Sequence, residues 1–133
     1  MNVRILSRTK HIREDGWLSE LVSTNYADEP FTCVHSYLVS ITPGHTRANH
    51  YHEKKEEWLA PASGIIELLT EDIFSHVKEQ YILDTNTKDY SLIYIPPFIA
   101  HTLKNTGTGE ASVVVFSRTT EDLSDTIRFE VTS

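Results

Sequence analysis

The chain has 133 residues, 39% hydrophobic and 23% charged, with 12 Lys and Arg against 19 Asp and Glu for a formal charge of −7. That length holds one core and leaves no room for a second domain, and the negative charge opposes both a nucleic-acid backbone and an anionic bilayer, so neither is expected as a partner. No apolar run approaches the roughly 20 residues that span a bilayer, and the single cysteine, Cys33, excludes a disulfide framework and a cysteine-based zinc knuckle. The opening MNVRILSRTK lacks the apolar stretch of a secretory signal, so a cytoplasmic location is expected.

In chain order, the first clear element is Cys33 to Ile41, which alternates, is rich in β-branched and aromatic residues, and ends at the turn Thr42-Pro43-Gly44. Glu57 to Ala60 reads as a strand, followed by Ile65 to Thr70 after Ser63-Gly64. Leu92 to Ile95 precedes Pro96-Pro97, and Ala111 to Ser117 follows Gly107-Thr108-Gly109. No segment sustains the apolar stripe of a helix over three turns, and Glu121 to Asp125 forms one turn at most. The tail alternates Ile127, Phe129 and Val131 with Arg128 and Glu130, which predicts a strand with one buried face, pairing with a sheet edge of its own chain or of a second copy. A homodimer is expected on that ground. Without repeats or linkers, the pattern predicts an all-β barrel or sandwich with few or no helices. Cys33 reads as a small buried residue, Trp17, Trp58, Tyr94 and Phe98 as core or pocket wall, and Glu53-Lys54-Lys55-Glu56 as a solvated loop.

The chemistry-bearing stretch runs from Gly44 to Gly64. In an extended strand His50 and His52 point to one face, and Glu57 is far enough on for the next strand to return its carboxylate to them. His101 follows the double-proline turn. Three imidazoles and one carboxylate suit one divalent ion (Zn, Mn, Fe, Ni or Co) with positions left for water or substrate. His11, His35, His45 and His76 fall outside this spacing and are expected at the surface.

Gly44-(x)5-His50-x-His52-(x)4-Glu57-(x)6-Gly64 fits the first motif of the cupin superfamily at every position. Pro96-x-Phe98-(x)2-His101-(x)3-Asn105 resembles the second, except that Phe98 stands where glycine is usual, as does Tyr90. The resemblance implies a jelly-roll barrel over about residues 30 to 118 within one domain spanning 1–133, lined by the motif residues. Asp15-Gly16-Trp17-Leu18-Ser19-Glu20-Leu21, Tyr37, Arg47 and Asp122 to Phe129 further resemble the nucleotide-sugar cupins, namely dTDP-4-dehydrorhamnose 3,5-epimerases and sugar 3,4-ketoisomerases. Asn49-His50-Tyr51-His52 resembles the metal-binding cupin domain of a capsular-polysaccharide sugar reductase.

These resemblances imply an isomerase or epimerase of a nucleotide-linked 4-keto-6-deoxy sugar in polysaccharide biosynthesis, with no organic cofactor. His50 is the expected base, assisted by Tyr37 and Arg47, while Arg47, Tyr51, His52 and His101 contact substrate. A neutral imidazole suits proton abstraction beside a ketone, and the enediolate formed needs a cation or donor at its oxygen. Arg47, Lys54 and Lys55 are the nearest basic groups for a diphosphate. The resembling epimerases and ketoisomerases need no metal, whereas this chain keeps the full ligand set His50, His52, Glu57 and His101. A metal-dependent isomerase or dioxygenase and a non-catalytic sugar-binding cupin are the alternatives.

Overall fold

The structure is a computed structural model and describes residues 2–28 and 31–133. Residues 29 and 30, at the expected start of the barrel, lie outside the described residues. The strands are β1 (Arg4–Arg8), β2 (His11–Arg13), β3 (Gly16–Leu18), β4 (His35–Ile41), β5 (Thr46–Tyr51) and β6 (Glu57–Ser63), followed by β7 (Ile65–Asp72), β8 (Lys78–Asp84), β9 (Tyr90–Ile95), β10 (Ile99–Asn105), β11 (Ala111–Ser117) and β12 (Ile127–Arg128). The one helical element among the described residues is a 3-10 turn at Leu123–Asp125, inside the stretch expected to form a single turn.

Two five-stranded antiparallel sheets face each other, in the orders β1-β9-β6-β11-β4 and β12-β5-β10-β7-β8, and β2 and β3 form a separate hairpin. This is the expected jelly-roll barrel. Ile41, Leu59, Ile66, Leu68, Ile93, Ile95 and Val113 fill the space between the sheets, and each is at most 2% exposed. The alternation of β11 explains its place: Ala111, Val113 and Val115 are buried while Ser112 and Val114 are not. Trp58 and Tyr94 belong to the core as expected, Trp58 stacked on Phe31 with centroids 3.8 Å apart.

Several expectations fail for local reasons. Cys33 is exposed because it precedes β4 and takes no part in its alternation. Trp17 is half-exposed on the β2–β3 hairpin, beneath the Lys10 ammonium at 4.3 Å. The tail pairs with a sheet edge of its own chain, one of the two expected outcomes, through Ile127 with Tyr51 and Arg128 with His50, and β12 becomes the outer strand of that sheet. No described helix is long and apolar enough to cross a membrane.

Gly64 and Phe98 mark two tight turns. Gly64 has φ +78°, and a Cβ there would lie 2.7 Å from that of Ala111. Phe98 also adopts a left-handed φ, +64°, at the position where the motif usually has glycine. Its amide donates to the His52 carbonyl at 2.7 Å and its carbonyl accepts from Ile73 at 3.2 Å, so two bonds hold the turn in this conformation.

Candidate active site

The barrel brings His50 (β5), His52 (just after β5), Glu57 (β6) and His101 (β10) together, with candidate ligand atoms all within 4.8 Å of one another. His50 and His101 are direct cross-strand partners, which sets their rings edge to face at 4.7 Å. Glu57 is at the centre. Its Oε1 lies 3.1 Å from His52 Nε2, 3.2 Å from His101 Nε2 and 4.0 Å from His50 Nε2. Its Oε2 accepts the Tyr37 hydroxyl at 2.9 Å and has the Lys55 ammonium at 3.9 Å.

The far nitrogens of two histidines are fixed by backbone. His52 Nδ1–H donates to the Asp125 carbonyl at 2.9 Å, and His101 Nδ1–H donates to the Ile99 carbonyl at 3.0 Å. Both Nε2 atoms therefore aim at Glu57. Burial by itself pulls the His52 pKa down, but the Glu57 hydrogen bond and charge outweigh it and the net shift is upward. Burial likewise pushes the Glu57 pKa up, and the hydrogen bonds from His101 and His52 overcome this, holding it well below the usual carboxylate range. His50 differs: burial, then the neighbouring His101, push its pKa down to about 4. Tyr37 is shifted strongly upward by burial and by the charge of Glu57, so it stays a neutral hydroxyl. The cluster thus separates a neutral base from a neutral acid, joined through one carboxylate.

A cavity of about 230 Å³ opens beside the cluster, lined by Tyr37, Arg47, Ala48, His50, Glu57 and His101 with apolar residues behind them. Strict alternation would turn Arg47 and His50 to opposite faces. A β-bulge at Ala48 and Asn49, both at left-handed φ, brings them to the same cavity. The bulge is held from behind, as Asn49 accepts from the Thr102 hydroxyl at 3.0 Å and its carbonyl accepts from the Phe129 amide at 2.9 Å. A larger groove of about 380 Å³ along Ile5, Tyr81, Ile82 and Tyr90 has none of these converging groups, so the smaller cavity is the candidate site.

Tyr51 takes no place in the cavity; it packs on the other face of β5, its ring 6.1 Å from Phe129. His52 is buried behind Glu57 and does not line the cavity. Lys55, expected in a solvated loop, is only 6% exposed and pairs with Glu121 at 3.2 Å. Lys54 remains at the surface. His11, His35, His45 and His76 stay outside the cluster. The sequence did not single out Asp125, since nothing local distinguishes a buried Asp in a polar run from a solvated one.

The fold is shared with solved structures of low sequence identity. The chain superposes with a TM-score of 0.79 on the QdtA sugar 3,4-ketoisomerase from Thermoanaerobacterium thermosaccharolyticum in complex with TDP, at 20% identity over 96% of this chain and 88% of that one. For a dTDP sugar isomerase from Desulfovibrio desulfuricans the TM-score is 0.87, at 17% identity over 96% and 83%. For the Mycobacterium tuberculosis rmlC epimerase it is 0.79, at 14% identity over 95% and 68%. No curated protein matches by sequence. The sequence model of the polysaccharide biosynthesis C-terminal domain matches residues 11–127, and the chain belongs to that family.

Proposed function

We propose that the protein isomerises or epimerises a nucleotide-linked 4-keto-6-deoxy sugar by proton transfer beside the ketone. One observation carries this reading: a neutral His50 and a neutral Tyr37 line the same cavity, each next to Glu57. The similarity to proteins described as a sugar ketoisomerase and an epimerase supports the substrate class. At about 230 Å³ the cavity is smaller than the roughly 300–1,000 Å³ of most ligand pockets, so it suits the sugar ring and leaves the nucleotide at the mouth.

In the proposed mechanism, His50 takes the proton from the carbon next to the ketone, and the electron pair moves onto the carbonyl oxygen to give an enediolate. Arg47 faces that developing charge. The Tyr37 hydroxyl then returns a proton. Delivery to the same carbon from the opposite face gives the epimer, whereas delivery to the former carbonyl carbon, with the neighbouring hydroxyl proton passing to the former carbonyl oxygen, gives the shifted ketone. The proton held by His50 returns to Tyr37 through Glu57, which restores both groups.

The test is proton NMR of the protein with dTDP-4-keto-6-deoxyglucose in D2O. Exchange at C3 or C5, absent in His50→Ala, is expected; no exchange at high protein concentration overturns the reading.

A metal-dependent reading has its own support. With Nδ1 of His52 and His101 tied to carbonyls, His50, His52, Glu57 and His101 fit a divalent ion, which would polarise a substrate oxygen. Stoichiometric metal after purification, with turnover lost on chelation and restored by one ion, would favour it.

A further inference from the structure

We infer that Asp125 is a positioning residue of this site: it sets the loop between β5 and β6 and the ring of His52 from outside the barrel. It rests on the proposed role of the His/Glu cluster and deepens it. Asp125 closes the 3-10 turn after β11 and is buried. Its carboxylate accepts from three successive backbone amides. Oδ1 takes Glu53 at 2.9 Å and Lys54 at 3.2 Å, and Oδ2 takes Lys54 at 3.3 Å and Lys55 at 3.0 Å. Those residues are the short connection between His52 and Glu57. The carbonyl of the same residue accepts His52 Nδ1–H at 2.9 Å.

One residue therefore grips the connection by its side chain and the histidine by its backbone, and the two contacts depend on each other. If the carboxylate lets go of the amides, nothing else described bonds the Glu53 to Lys55 amides, and the Asp125 carbonyl loses its fixed relation to His52. The ring is then free to turn, and Glu57 Oε1 loses the 3.1 Å partner that keeps it aimed inward. Asp125 itself does not line the cavity beside His50, so it acts through these groups and not on substrate.

The chemistry of the carboxylate predicts a graded series. Asn keeps one acceptor oxygen and turns an amide toward donors, which preserves part of the set, whereas Ala preserves none. Two-bond 1H–15N spectra of the histidine rings read which nitrogen carries hydrogen. In the wild type His52 Nδ1 carries hydrogen and is hydrogen-bonded; Asp125→Asn weakens that signature and Asp125→Ala loses it. In the exchange assay kcat falls about 10- to 100-fold, Ala more than Asn, while KM stays within about twofold. Asn105→Ala is the control, since Asn105 holds the carbonyls of Ile41 and Gly109 away from His52; it lowers the melting temperature and leaves the His52 signal in place. If Asp125→Ala does not fold, the Asn variant decides. An unchanged His52 signal, or a raised KM with unchanged kcat, overturns the inference. A wild-type protein silent in exchange overturns the sugar reading instead, and the ring spectra still decide Asp125.

Discussion

At neutral pH the imidazole of His50 is uncharged, because burial and the neighbouring His101 hold its pKa near 4. Two consequences have opposite directions. The unfolded chain takes up a proton at His50 near pH 6.5 and the folded one only near 4, so this group contributes stability above 6.5 that is lost as pH falls toward 4. His52 is shifted upward, so its contribution is full below pH 6.5 and is lost as pH rises through its folded value. Exchange catalysed by His50 should keep a flat profile from neutrality down to about pH 5 and fall with an acid limb near 4; a limb at 6.5 would argue against His50 as the base. Tyr37→Phe removes the proton donor and one partner of Glu57, and net conversion should drop by about 10²- to 10⁴-fold, measured by product NMR. Slower exchange at C3 should persist, since His50 remains.

Turns and bulges decide how well these groups are aimed. Gly64→Ala puts a Cβ 2.7 Å from that of Ala111 at a left-handed φ, and should destabilise the fold by about 2 kcal/mol or more in urea unfolding. At Phe98 the order Gly, then Ala, in decreasing stability is expected, with a gap of about 1 kcal/mol, because both variants lose the ring contact with Phe74 while Gly alone accepts φ +64° without strain. An equal stability of the two would mean the turn relaxes on truncation. The strands that were legible in the sequence are those with one buried face or flanking Gly and Pro: Ala111–Ser117 matches to the residue. β1 and the β2–β3 hairpin gave no such signal because most of their side chains are exposed. β8 was illegible for the same reason: it is an edge strand with Leu83 as its one buried side chain. His50, His52, Glu57 and His101 were legible through spacing alone. That Arg47 shares their cavity was implied by the resemblance and not by alternation, since it depends on a bulge that breaks the period of two.

The two sheets enclose the His/Glu cluster, and the molecule's charge and edges set its dealings with other molecules. β4 is an edge strand with Leu38 67% exposed, and Val34 just before it is 57% exposed, so this edge is a place to test the expected homodimer. Light scattering of Leu38→Lys should show a shift toward monomer if that edge forms the dimer. A dimer unaffected by the substitution would place the contact elsewhere.

The order in which the chain leaves the ribosome matters for the tail. Every strand that carries a member of the His/Glu cluster is made before the 3-10 turn that holds Asp125, and before Phe129 and Val131, whose amides bond Asn49 and Thr102. The residues of the cluster are therefore synthesised before the tail groups that bond to them. A chain ending after β11 would lack β12 and Asp125, so His52 gains its Nδ1 partner only when the tail docks along β5.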